Sequence, residues 1–288
     1  MQSTIKNNFI SVNVNHFGAE LCSIKSKEGI EFMWQADSKI WPRYAPILFP
    51  IVGKLKDFMY EHKRSKYTLP QHGFARDKTF FLKSVSDDFV VFYLNSDIDT
   101  QAVYPFEFEL MVSYGLIKNK VIIEYKVTNF GSDVMPFSIG AHPGFRCPIA
   151  DGEVLEDYIL KFSDKENCEA MLLEGGLFSG KTIPFLNNED EIKLTKNTFD
   201  ADALVIENFK SKYVLLHSNK SEHSVKVSIE GFPYLGIWSR PGAPFVCIEP
   251  WHGLADSNNV SGVLEDKKGI ILLQPQKEFT CTYTIEVN

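Results

Sequence analysis

The chain has 288 residues, 44% of them hydrophobic and 23% charged, with a formal net charge of −7. That is a globular composition, and a chain of this length buries about 75% of its unfolded surface without a metal or disulfide staple. The negative balance, with no basic block longer than Lys63-Arg64, excludes a nucleic-acid binder that works by counterion release, while leaving room for a small anion held by two or three arginines.

The five cysteines, Cys22, Cys147, Cys168, Cys247 and Cys281, are odd in number and follow no spacing motif. They read as free thiols of a reducing compartment. The opening MQSTIKNNFISV has no apolar signal core, and no window approaches the roughly 18 apolar residues of a membrane span. The expectation is a cytoplasmic protein with no membrane or nucleic-acid partner.

From the amino terminus, short alternating runs at Phe9 to Val14, Ala19 to Ile24 and Glu31 to Trp34 predict strands. Trp41 to Gly53, rich in proline and carrying Arg43, predicts a loop across apolar core. A meander follows at Thr79 to Ser84, Phe89 to Leu94, Phe106 to Gly115 and Val121 to Asn129, and Met135 to Ile139 leads into a Gly-Ala-His-Pro-Gly corner. Asp151 to Asn197 is more polar and has neither a helical period nor clear strands. Further strands are predicted from Asp202, Tyr213, Ser224 and Leu235, then at Phe245 to Ile248, Gly269 to Leu273 and Phe279 to Val287. About eighteen short strands with almost no helix predict an all-β chain, one large antiparallel β-sandwich spanning residues 1–288 as a single domain.

Three stretches set a titratable group among Gly, Pro and apolar residues. In FVCIEPWHG, an apolar run delivers Glu249 just where Pro250 ends the ladder. Burial there would raise the carboxyl pKa towards that of a useful general base, whereas a solvated strand end would leave it inert. In QHGFAR, Pro70 and Gly73 bend the chain around His72, which either faces a cleft or bonds a nearby carbonyl. In SIGAHPGF, His142 follows an apolar strand, which favours a neutral ring able to give one proton and accept another. Asp202 opens an apolar strand, and a turn-forming role is the simpler account of it alone. His16, His62, His217 and His223 lie in polar surroundings and read as surface.

There is no G-x-S-x-G, no Walker or G-x-G-x-x-G loop, and no H-x-x-x-H spacing. His72, His142 and Glu249 would make an acceptable divalent-metal set if the fold joined them. What remains favoured is acid–base work on a polar ligand, with tryptophan and phenylalanine faces available for a sugar ring.

Together the Pro-rich loop with Arg43, QHGFAR, GAHPGF, Asp202 and CIEPWHG resemble, in order and over nearly the whole chain, the aldose 1-epimerase (galactose mutarotase) superfamily. The likeness is to its LacX-like branch and the related hexose-6-phosphate 1-epimerases. The resemblance implies a β-supersandwich that interconverts the anomers of a hexose or hexose phosphate without metal or cofactor, as a monomer or weak dimer. It further implies Glu249 as general base, His142 as general acid, His72 as their catalytic partner, and Asp202, Arg76 and Arg43 as sugar- or phosphate-binding residues. Two other readings stay open: a non-catalytic carbohydrate-binding or sugar-sensing protein on the same fold, and a metalloenzyme.

Overall fold

Alternation with period two is carried furthest by Phe108–Ile117 and Lys120–Asn129, where nearly every second side chain is buried. These two strands pair antiparallel in register from Phe108 opposite Asn129 to Ile117 opposite Lys120. The structure, a computed structural model describing residues 1–288, contains 22 strands and a single six-residue α-helix, Ile98–Val103. Asp97 caps that helix by accepting from the Thr100 N–H at 2.7 Å, and Thr100 Oγ1 accepts from the Asp97 N–H in return.

Most strands join one 15-stranded antiparallel sheet that runs from Ile47–Leu48 at one edge to Phe81–Val85 at the other. A separate three-stranded sheet is made by Gln2–Lys6, Ile10–Asn15 and Leu21–Ser26. The buried faces merge into a continuous cluster of 65 residues, so hydrophobic burial ties the amino-terminal sheet to the large one. No helix is long and apolar enough to cross a membrane.

The large antiparallel β architecture expected from the alternation is present. The polar middle of the chain, however, holds two 17-residue strands, Tyr158–Glu174 and Leu177–Lys193, paired as one long hairpin. Beyond Ser163 both faces of the hairpin are largely solvated and its register shifts several times, so it lacks the alternating signature that marks a half-buried strand. Two histidines taken for surface residues are in fact buried, His16 at 8% exposure and His62 at 7%. His16 Nε2 meets Ser3 Oγ at 3.0 Å, and His62 pairs with Glu265.

Candidate active site

The strand Phe245–His252 pairs on one side with Ile139–Ala141 and Gly144–Arg146, two short strands separated only by His142 and Pro143. Gly140 lies opposite Trp251, and Gly144 lies opposite Cys247. The register is therefore unchanged across the break, which puts His142 directly opposite Glu249. The break frees the imidazole from the ladder to turn towards the carboxylate. Its Nε2 stands 3.2 Å from Glu249 Oε2. The approach is off line for a hydrogen bond, so Oε2 keeps no donor, and His142 Nδ1 has no partner either.

Glu249 is 1% exposed and His142 8%. Burial, reinforced by the negative charge of Asp202, holds the Glu249 carboxyl well above its ordinary range. Burial, reinforced by the positive charge of Arg76, pulls His142 down to about 3. Both effects favour the uncharged forms of the pair, a carboxylic acid beside a neutral imidazole. The charged arrangement, carboxylate beside imidazolium, differs from it by the transfer of one proton across a 3.2 Å gap.

His72 occupies a left-handed backbone position, φ 67°, in the turn made by Pro70 and Gly73. Its Nδ1 accepts from the Gly53 N–H at 3.0 Å. With that nitrogen an acceptor, the neutral ring carries its proton on Nε2, which lies 3.4 Å from the Gln71 side-chain amide at the cavity wall. Gly53 is required at this contact, because a Cβ there would lie 2.6 Å from the Cα of Ala255. The two rings, His72 and His142, meet edge to face with centroids 5.6 Å apart.

Arg76 sits in the short 3₁₀ turn Ala75–Asp77 and donates from Nη2 to the Gln71 carbonyl at 2.6 Å. Its Nε is buried without a hydrogen-bond partner. Burial and the neighbouring Arg43 lower its pKa to about 10, which leaves it charged at neutral pH. Arg43 itself is bonded to Asp77 at 2.8 Å and does not line the cavity. Asp202, at φ 76°, folds its carboxylate back onto the Ala203 N–H at 2.8 Å while flanking the cavity.

These groups surround a cavity of about 240 Å³. Trp41 stacks on the His142 ring at 5.0 Å between centroids, and Trp238 meets it edge-on at 5.7 Å. Trp251, on the same strand face as Glu249, lies flat between Gly140 and Gly236 and donates from Nε1 to the Ala141 carbonyl at 3.1 Å. Opposite, the tip of the long hairpin contributes Leu173, Gly176 and Phe178 and is tied down by Lys54 Nζ donating to the Gly175 carbonyl at 2.9 Å. A concave site with aromatic walls and a few aimed polar groups suits a small polar ligand with an apolar face, such as a sugar ring.

The metal set weighed from the sequence does not assemble as expected. The donor atoms that come within 4.8 Å of one another belong to His142, Cys247 and Glu249. His72 is instead committed to Gly53.

The aldose 1-epimerase family model matches residues 1–285. The chain belongs to the aldose 1-epimerase family. Two LacX proteins of Lactococcus lactis subsp. lactis, plasmid and chromosomal, are each 36% identical over 297 residues, covering 100% of this chain and 99% of theirs. Among solved structures, a galactose mutarotase related enzyme from Lactobacillus acidophilus superposes with a TM-score of 0.96 at 36% identity, over 100% of this chain and 97% of that one. A galactose mutarotase-like protein from Lactobacillus casei ATCC 334 gives 0.94 at 30% identity, with both chains covered completely.

In this member of the aldose 1-epimerase family, five of the six candidate residues, Glu249, His142, His72, Asp202 and Arg76, line one cavity. Arg43 stands behind Arg76, with only a 3.5 Å contact from its Nη1 to the Arg76 carbonyl. Sequence reading did not single out Trp41, Trp238, Trp251, Gln71 or the hairpin tip. The tryptophans had a usable signal, since each falls within a few residues of a proline or glycine corner. The hairpin tip had none.

Proposed function

We propose that the protein is a mutarotase that opens and recloses the ring of a hexose, with Glu249 and His142 moving the two protons. The observation that carries this reading is the in-register pair itself: two buried groups, an imidazole and a carboxyl, 3.2 Å apart on the cavity wall. Ring opening removes the proton from the anomeric hydroxyl, delivers one to the ring oxygen and breaks the C1–O5 bond as the C1 carbonyl forms. An acid–base pair does both without building a free alkoxide, and each positioned group contributes about 10²- to 10⁴-fold. In the opening direction Glu249, once its proton has crossed to His142, takes the anomeric proton, and His142 protonates the ring oxygen. Rotation about C1–C2 then presents the other carbonyl face, and the two groups exchange roles for reclosure.

His72 Nε2–H and Asp202 hold sugar hydroxyls in this scheme, while Trp41 and Trp238 fix the imidazole plane. Arg76, charged and with its Nε making no hydrogen bond although it stands 3.8 Å from Asp77 Oδ2, is the cavity group suited to a 6-phosphate, because its planar fork matches phosphate oxygens. Arg43 would reach such a phosphate only by leaving Asp77. The reaction asks nothing of a metal or organic cofactor.

The test is polarimetry on freshly dissolved α-galactose and α-glucose. Catalysed approach to the anomeric equilibrium by the wild type, and its loss in Glu249→Gln, are expected. Binding of either sugar with no acceleration would replace this reading with that of a sugar-binding protein.

A further inference from the structure

One buried nucleophile is left over by the proposed reaction. Cys247 precedes Glu249 by two positions on the strand Phe245–His252, so its side chain leaves the same face. It is 0% exposed, lies behind the cavity wall rather than on it, and has no part in moving protons on a sugar. Yet its sulfur, a nitrogen of His142 and an oxygen of Glu249 all fall within 4.8 Å of one another.

We propose that His142, Cys247 and Glu249 bind a thiophilic divalent cation of the Zn²⁺ class, and that the ion, once bound, switches the sugar chemistry off. The proposal rests on the mutarotase reading only for its second half. Bonds of about 2.0–2.3 Å to nitrogen, oxygen and sulfur in a tetrahedron separate the donors by about 3.3–3.7 Å. The His142–Glu249 contact, at 3.2 Å, is already close to the lower end of that range. The longest edge of the cluster needs to close by only about 1 Å, a distance within reach of side-chain torsions.

Charge and softness agree with the geometry. A thiolate and a carboxylate offset the two positive charges of the ion, and the neutral imidazole adds a third ligand. A sulfur–nitrogen–oxygen set prefers Zn²⁺ or Cd²⁺ to Mg²⁺ or Ca²⁺. The buried Oε2 of Glu249 has no donor at present, and such an orphaned carboxylate oxygen gains most from a cation. Burial holds the Cys247 thiol protonated and favours the neutral Glu249 carboxyl, so metal binding would displace both protons to solvent. His142 and Glu249 line the cavity, which offers an ion its way in. Inhibition follows because the lone pairs of His142 and Glu249 that would exchange protons with the sugar become metal ligands.

The experiment titrates Cd²⁺ into the full chain, freed of metal by a chelator, and follows the thiolate-to-cadmium charge-transfer band in the ultraviolet. Zn²⁺ is then used as a competitor and as an inhibitor of anomer interconversion. One equivalent of Cd²⁺ should develop the band, and one equivalent of Zn²⁺ should abolish it and stop turnover. In Cys247→Ser and Cys247→Ala the band should vanish. Zn²⁺ affinity should fall by at least the roughly 10- to 100-fold that losing even an outer partner of a ligand produces. Zn²⁺ sensitivity of each variant is measured against its own metal-free rate. Wild type with no band, or variants with wild-type Zn²⁺ affinity, would overturn the site. A band with undiminished turnover would overturn the inhibition. A metal-free wild type without turnover would refute the mutarotase reading while leaving the band as the test of the site.

Discussion

Gly236→Ala probes how the site is held. Gly236 lies opposite Glu249 in the neighbouring strand Tyr234–Trp238, and its backbone needs no left-handed conformation. What excludes a side chain there is Trp251: a Cβ would lie 2.5 Å from Cη2 and 2.7 Å from Cζ2 of the indole. Ordinary contact needs about 3.5 Å, so the ring must yield by about 1 Å. It cannot slide away freely, because at its other end a Cβ-sized space beside Gly140 is already closed by Cδ1 and its Nε1 is bonded to the Ala141 carbonyl. Overpacking of this kind destabilises by about 1–3 kcal/mol. The displaced indole would also push the strand that carries Glu249 and the segment that carries His142, and a misplacement of about 1 Å is worth about 10²-fold in rate. Urea unfolding and anomerisation rates should show both losses. Adding Trp251→Phe, which removes the clashing part of the ring, should restore stability non-additively by about 1 kcal/mol or more. A Gly236→Ala protein with wild-type stability and rate, or strictly additive double-mutant energies, would refute the packing argument.

Three further outcomes are expected. Arg76→Ala should raise KM for glucose 6-phosphate by about 10- to 100-fold, as for loss of a charge-assisted hydrogen bond, and affect glucose less; equal losses on both sugars would remove Arg76 from phosphate binding. His72, His142 and His252 stay neutral when folded, held well below the usual value, at about 3 and at about 4 respectively, while the unfolded chain protonates near 6.5. The unfolded state therefore binds more protons below that value, and stability should fall as pH drops from about 6.5 towards 4, each histidine steepening the slope while it stays neutral in the folded chain. Glu249 opposes this slope, since its raised carboxyl favours the folded state at lower pH, so urea midpoints should show a shallower acid slope in His142→Asn and a steeper one in Glu249→Gln. Glu20→Ala should destabilise by about 2–6 kcal/mol in urea, because Glu20 Oε1 accepts from the Tyr44 and Ala45 N–H groups at 2.8 and 3.0 Å and would leave both unbonded; a neutral effect would mean the Trp41–Arg43 loop is held by other contacts.

Much of the fold was legible because half-buried strands advertise themselves. In Phe108–Ile117 and Lys120–Asn129 the alternation of side chains is the alternation of core and solvent. The hairpin Tyr158–Lys193 was not legible, because its distal half buries little on either face and its pairing is held by backbone hydrogen bonds, which any sequence can supply. Glu249, His142 and His72 stood out through the prolines and glycines that interrupt strands around them. Their mutual placement did not, since the opposition of His142 and Glu249 depends on a pairing between segments about a hundred residues apart. Arg43 shows the opposite limit: an arginine in a suggestive loop can be claimed by a neighbouring aspartate, here Asp77, and that competition leaves no trace in spacing.

Interconversion of one anomer into the other by the Glu249–His142 pair is open to a direct test. Two-dimensional exchange NMR on equilibrated galactose, glucose and glucose 6-phosphate tests it directly, because cross-peaks between the α and β anomeric protons report interconversion without any coupling enzyme. Wild type should produce cross-peaks for at least one of the three sugars, and Glu249→Gln and His142→Asn should each reduce their build-up by about 10²- to 10⁴-fold. Undiminished exchange in either folded variant would rule out this pair as the carrier of the two protons.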